Sequence, residues 1–190
     1  MSIRQPRSWE ALRPMYLRPT IKTPPPQTLM EIPPGKAGTA ATMDIMRDLV
    51  RRGKLNPLVR QKATEIVSAL PNQKGWLAQI RALHKFVRDG IYYVRDINGV
   101  ETVREAQRVL IDGVGDCDDK AVLLASLLES VGHPAKLVAV GFNPHTFHHV
   151  LVETQISKPP REKWLPLETT EQVEAGWYPP NVRARMERHI

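Results

Sequence analysis

Apolar side chains recur three and four residues apart in the segments that follow Thr39, a pattern typical of helices with one buried face. Three such segments precede the single cysteine: TAATMDIMRDLVRRG, NPLVRQKATEIVSALP and GWLAQIRALHKFVRDG. The first stops at Gly53, and the second has Asn56 as N-cap with Pro57 at the first helical position. The pattern predicts three amphipathic helices in the first half of the chain.

The pattern is different around and beyond the cysteine. IYYV is a short strand-like run, and TVREAQRVL predicts a short helix whose Thr102 and Glu105 form a capping box. GVGDCDDKAVLLASLLESVG predicts an apolar helix, and AKLVAVGF, HHVLVETQI and KWLPLETT predict three strands, the first two joined by the turn NPHT. Helices followed by a meander predict an α+β fold with an antiparallel sheet.

Proline content separates the first 38 residues from the rest. They hold 8 of the 17 prolines, which favours an extended, polyproline-like arm without a core of its own. We expect residues 1–38 to form this basic arm and to run across another protein chain, residues 39–176 to form the domain, and residues 177–190 to form a basic C-terminal tail.

Composition narrows the class of protein. At 190 residues, 42% hydrophobic and 25% charged, the chain can bury the core of one domain, and one cysteine allows neither an internal disulfide nor a thiolate zinc cluster. The net charge of +7 is compatible with binding to nucleic acid or to an acidic protein surface. The basic residues are spread along the chain and do not form one block, so they are only weak evidence for such a partner. No signal peptide or membrane-spanning run is evident, which favours a cytoplasmic protein or a component of a phage particle.

The cysteine begins its helix instead of lying inside it. Cys117 precedes an apolar face, and unpaired N–H groups and the helix dipole favour a thiolate at such a position. Asp116, Asp118 and Asp119 oppose this by raising the pKa of a nearby thiol, so a cationic partner has to outweigh them. With such a partner, we expect the pKa of the thiol to lie below the roughly 8.5 of a free cysteine.

Histidine can be that partner, because an imidazole can take the thiol proton. The candidates are His84, His133, His145, His148, His149 and His189. The positions of His84, His133 and His189 suggest surface or turn residues, whereas His148 and His149 open a predicted strand. If His149 faces the cysteine helix, alternation places Leu151 and Glu153 on that side too. In the next predicted strand, Glu168 could orient the imidazole.

The segments GDCDDKAVLLASLLESVGHPAKLVAVGF, HHVLVE and WLPLETT resemble, in order and spacing, the transglutaminase-like superfamily of papain-type cysteine enzymes, particularly its small bacterial and phage members. The resemblance covers about residues 76–170. It implies a papain-like core, with Cys117 as nucleophile, His149 as general base, Glu168 as orienting acid and Glu153 as a structural glutamate. Glu168 departs from the usual Asp, and a misplacement of about 1 Å can cost on the order of a hundredfold in rate.

The resemblance implies a cysteine-dependent hydrolase or acyl transferase that acts on amide bonds of a protein or peptide, without a metal or cofactor. The spacing in DGVGDCDD lacks the ligand pattern of a calcium-binding loop, and helix capping explains the aspartates more simply. The alternative is a catalytically weak or inactive scaffold protein that uses its arm to bind neighbouring subunits of a larger assembly, such as a phage virion or tail.

Overall fold

The helices come first along the chain in the computed structural model, which describes residues 33–95, 102–157 and 162–190. The five helices of these ranges are α1 (Gly35–Gly53), α2 (Pro57–Ser68), α3 (Trp76–Gly90), α4 (Ala106–Asp112) and α5 (Cys117–Ser130). The six strands are β1 (Tyr92–Tyr93), β2 (Val114–Gly115), β3 (Ala135–Gly141), β4 (His149–Ser157), β5 (Lys163–Leu167) and β6 (Ala184–His189).

Four of these strands form one antiparallel sheet in the order β5-β4-β3-β6, while β1 and β2 form a separate parallel pair. Helix α5 packs against β3 and β4 on one side and against the other four helices elsewhere. Residues 119–128 of α5 are all buried, as expected for a helix that is apolar around most of its circumference. The predicted α+β fold, with the cysteine helix packed on an antiparallel sheet, is confirmed.

The two faces of the sheet bury different sets of residues. Val150 and Val152 belong to the main core with α5, whereas Leu151 packs on the opposite face with Val138 and Val140. The expected placement of Leu151 and Glu153 beside the cysteine helix is therefore wrong. The alternation of β4 side chains between the two faces of the sheet does not extend back to His149. Where the chain enters β4, the consecutive residues 146–150 all line one cavity.

The C-terminal residues differ from the predicted tail, because β6 pairs with β3 from Lys136↔His189 to Gly141↔Ala184. The charges of Arg185 and Glu187 in β6 are compensated on the outer face of the sheet. Arg185 binds Glu153 through two contacts of 2.9 Å, and Lys136 Nζ lies 3.2 Å from Glu153 and 2.7 Å from Glu187. A basic sequence therefore completes the sheet as an edge strand, and the domain extends beyond residue 176.

Two predicted boundaries at the helices also need correction. Helix α1 begins at Gly35, so the last residues assigned to the arm are helical; residues 1–32, and with them most of the arm, lie outside the described residues. Helix α4 has Glu105 as N-cap and begins at Ala106, without the predicted capping box at Thr102. The backbone N–H of Arg104 instead donates to Asp119 Oδ1 at 2.8 Å, which fixes the chain just before the helix.

No helix in the described ranges is both long and apolar enough to cross a bilayer.

Candidate active site

A cavity of about 400 Å³ lies where α1, the first turn of α5 and the beginning of β4 meet. Helix α1 contributes small and apolar residues to its wall, among them Gly38, Thr42 and Met46. Cys117 and His149 both line it. The structure therefore brings the only thiol of the chain and the predicted base to one cavity.

The start of α5 is fixed by a buried carboxylate. Asp116 caps the helix by accepting the N–H of Asp119 at 3.0 Å, and the Asp119 side chain in turn accepts the N–H of Asp116. Asp119 is fully buried and also binds the Arg104 guanidinium. This capping box places Cys117 at the first helical position, in the turn whose N–H groups have no partner within a helix.

A buried lysine anchors the same turn to α3. The Lys120 ammonium is only 2% exposed and donates to Ile91 O at 2.9 Å and to Arg88 O at 3.3 Å. These carbonyls lie at the end of α3, where the chain passes into β1. Burial lowers the pKa of Lys120 to about 8, although attraction to Glu168 and Asp89 opposes that shift.

The Cys117 thiol has two hydrogen bonds with opposite effects on its pKa. Cys117 Sγ donates to Asp118 Oδ1 at 3.5 Å, and the backbone N–H of Val150 donates to the sulfur. Burial and then the charges of Asp118 and Asp116 raise the pKa of the thiol well above its ordinary value. The expectation of a lowered thiol pKa is thus wrong, because desolvation and the two aspartates outweigh the Val150 N–H.

The imidazole of His149 contacts the predicted acid. His149 Nε2 lies 2.5 Å from Glu168 Oε2, and Glu168 is 1% exposed. Burial alone would raise the pKa of Glu168, but the His149 ring and the N–H and hydroxyl of Thr170 together lower it to about 2. The predicted hydrogen bond between Glu168 and His149 is therefore present.

Two other histidines are buried, contrary to expectation. His84 lies on α3, is 1% exposed, and its Nε2 lies 2.5 Å from the carbonyl oxygen of Glu168. His133 is fully buried after α5, with Nε2 2.7 Å from Gln79 Oε1. His148 is exposed beside the cavity, and His189 lies at the end of β6.

Sequence reasoning missed His84 and Thr170 as neighbours of the predicted acid. The position of His84 on the apolar side of α3 was the available signal, because Ile80, Leu83 and Val87 surround it in sequence and are fully buried. Within the described residues, no group of three or more His, Cys, Asp and Glu side chains is arranged to hold a metal ion.

Several solved structures resemble this fold. LapG of Legionella pneumophila is 16% identical, with 73% of this chain and 80% of LapG covered and a TM-score of 0.49. A Cytophaga hutchinsonii protein described provisionally as a cysteine protease is 16% identical, with coverages of 68% and 45% and a TM-score of 0.48. A Parabacteroides distasonis protein described provisionally as a protease is 15% identical, with coverages of 65% and 26% and a TM-score of 0.48.

This chain thus spans about a quarter of the Parabacteroides protein and less than half of the Cytophaga protein. No curated protein matches the sequence. The model of the transglutaminase-like superfamily matches residues 60–169, which is more than half of the chain and includes Cys117, His149 and Glu168. The chain belongs to the transglutaminase-like superfamily.

Proposed function

We propose that the protein is a cysteine-dependent amide or peptide hydrolase, with Cys117 as nucleophile, His149 as general base and Glu168 as the acid that orients the imidazole. The observation that carries this proposal is the partly buried 2.5 Å contact between His149 Nε2 and Glu168 Oε2, made by a histidine that lines the same cavity as Cys117. A carboxylate on one ring nitrogen fixes the tautomer and leaves the other nitrogen as a base.

In the first step the thiol proton passes to His149 Nδ1 as the sulfur attacks the substrate, while Nε2–H donates to Glu168. The sulfur attacks the carbonyl carbon of the substrate, and the C–N bond breaks as the imidazolium returns the proton to the leaving amine. Water then attacks the thioester, regenerates the Cys117 thiol and releases a carboxylic acid. The N–H of Cys117, in the first turn of α5, is the candidate donor to the oxyanion.

The raised pKa of Cys117 determines when the proton moves. At neutral pH the resting thiol is protonated, with Asp118 Oδ1 as its acceptor. The reaction therefore requires the thiol to lose its proton as it attacks the substrate, and the enzyme does not rely on an ion pair formed beforehand. The substrate class that this chemistry fits is a protein or peptide, and attack by an amine in place of water would give acyl transfer.

A second candidate function is that of a catalytically weak scaffold within a larger assembly, such as a phage particle, bound to neighbouring subunits through residues 1–38. The raised thiol pKa favours this alternative, because a thiol kept protonated by burial and by two aspartates is a poor nucleophile. The two candidates differ in whether His149 increases the reactivity of Cys117.

Hydrolysis of dye-labelled casein and alkylation of Cys117 by iodoacetamide, followed by mass spectrometry, test the proposal together. We expect Cys117→Ser to abolish hydrolysis and His149→Ala to slow both reactions by at least tenfold. His145→Ala is the matched control, because His145 is exposed in the same loop and does not line the cavity. Alkylation that is equally slow in wild type and His149→Ala, without hydrolysis, would support the scaffold.

A further inference from the structure

The two carboxylate oxygens of Glu168 have different partners. Oε2 contacts His149 Nε2, whereas Oε1 accepts hydrogen bonds from both the backbone N–H and the hydroxyl of Thr170, each at 2.7 Å. We propose that Thr170 is a positioning residue that holds one carboxylate oxygen of Glu168 so that the other meets His149. The proposal rests on the function proposed above.

The length of the side chain makes this contact necessary. A glutamate has one more rotatable bond than an aspartate, so its carboxylate has more orientations to lose when it binds the ring. Two donors from Thr170 restrict rotation of the carboxylate plane about its last bond. Without the hydroxyl, Oε1 keeps one backbone donor, and the orientation of Oε2 toward His149 is less strongly fixed.

The backbone of Glu168 is fixed independently. His84 is buried on α3, and its Nε2 lies 2.5 Å from Glu168 O. Burial lowers the pKa of His84, so the ring is neutral near pH 7 and must carry its single hydrogen on Nε2 to donate to this carbonyl. With the main chain held by α3, the Thr170 hydroxyl acts on the part of Glu168 that can still move.

A turn contact between residues two apart can also serve stability alone, so the test must separate position from stability. Thr170→Val removes the hydroxyl and keeps the shape of the side chain, whereas Thr170→Ser keeps the hydroxyl. Thr154→Val is the matched control, because Thr154 is fully buried and its hydroxyl donates to Pro134 O at 2.8 Å, with no hydrogen bond to Glu168. All three variants are compared with wild type by thermal unfolding.

The first readout is the tautomer of His149 in protein labelled with ¹⁵N-histidine, which is measured without substrate. In wild type we expect the hydrogen on Nε2. We expect Thr170→Val to increase the population that carries it on Nδ1, while Thr170→Ser and Thr154→Val retain the wild-type spectrum. A wild-type tautomer in Thr170→Val would overturn the proposal, whatever its melting temperature.

The second readout is the rate of hydrolysis or of Cys117 alkylation. We expect Thr170→Val to lower the rate about tenfold and Glu168→Asp to lower it about a hundredfold, because the shorter side chain cannot span both Thr170 and the ring. Adding Thr170→Val to Glu168→Asp should cause little further loss, since the contact is already broken. Additive losses in the double variant would contradict the proposal.

Failure of the two proposals can be distinguished. If Cys117 shows no reactivity that depends on His149 in wild type, the proposed function falls, but the tautomer of His149 still decides the role of Thr170. If Thr170→Val does not fold, Thr170→Ala, which also lacks the hydroxyl, supplies the same comparison, with increased Nδ1–H population expected and an unchanged spectrum contradicting the proposal.

Discussion

The Cys117 thiol donates its hydrogen to the neighbouring side chain, with 3.5 Å between Sγ and Asp118 Oδ1. The charge of Asp118 is the largest contribution after burial among those that raise the pKa of this thiol. The residue that follows Cys117 therefore opposes ionisation of the thiol. Any reaction at Cys117 must overcome this effect through His149 or through groups that the substrate brings.

Asp118→Asn should accelerate alkylation of Cys117 because it removes a negative charge next to the sulfur. We expect a rate increase of at least threefold at pH 8, together with a lower thiol pKa in the pH profile of iodoacetamide alkylation. Asp48→Asn is the matched control, because Asp48 lies on α1 and does not line the cavity. An unchanged profile in Asp118→Asn would contradict a contribution of the Asp118 charge to the thiol pKa.

Motif order and the resemblance to a known family predicted that Glu168 would contact His149, and the structure contains this contact, with Cys117 and His149 lining one cavity. The pKa of the thiol was predicted in the wrong direction. The thiol pKa depends on how deeply the sulfur is buried and on which side chain accepts its hydrogen. The periodicity of apolar residues gives information about neither.

The C-terminal strand illustrates a different limit of sequence reasoning. The segment ARMERH has three charged residues in six, a composition typical of solvated tails. Its partners, Glu153 and Lys136, lie more than 30 residues away in sequence, on two other strands. These charges find their partners only when the strands align across the sheet, and the local sequence pattern contains no information about that alignment. The pattern therefore could not predict β6.

Glu153→Gln should destabilise the fold because buried Glu153 is the shared partner of the buried Lys136 ammonium and of the exposed Arg185 guanidinium. Breaking such a network leaves cations with too few partners, and we expect a loss of about 3 kcal/mol in the free energy of unfolding by urea. The control Glu171→Gln, at an exposed position, should change stability by less than about 0.5 kcal/mol. Equal stabilities of the two variants would contradict this role.

Removal of residues 184–190 should prevent stable folding if β6 completes the sheet. The deletion exposes the unpaired edge of β3 and removes the Arg185 partner of Glu153. We expect loss of the cooperative thermal transition, measured by circular dichroism. A full-length chain with Arg185→Ala and Arg188→Ala serves as the comparison, because it retains the strand but loses its arginine contacts. A truncated protein that melts like wild type would restore the interpretation of residues 177–190 as a tail.

A packing prediction follows from the crossing of α1 and α5. A Cβ placed on Gly53 would overlap Ser126 Oγ and lie 3.1 Å from Ala106 Cβ. Gly53→Ala should therefore lower the free energy of unfolding by about 1–3 kcal/mol, the usual cost of overpacking. Adding Ser126→Gly should recover part of the loss in urea unfolding, because it removes the hydroxyl that the new methyl group meets. Without such recovery, the close approach to Ser126 is not the cause.

Lys120 should make stability depend on pH in the alkaline range. Its pKa is lowered from 10.5 to about 8 in the folded protein, so between these values the unfolded chain binds more protons and stability rises with pH. The full shift corresponds to about 3 kcal/mol.

The raised pKa of Cys117 has the opposite effect, since the unfolded thiol ionises first and favours unfolding as pH rises. The two effects are separated by comparing variants that share Cys117. We expect the stability of wild type relative to Lys120→Met to increase by about 3 kcal/mol from pH 7.5 to 10.5 in urea unfolding. A constant difference for Lys120→Met would mean that the buried ammonium is ionised to the same extent in both states.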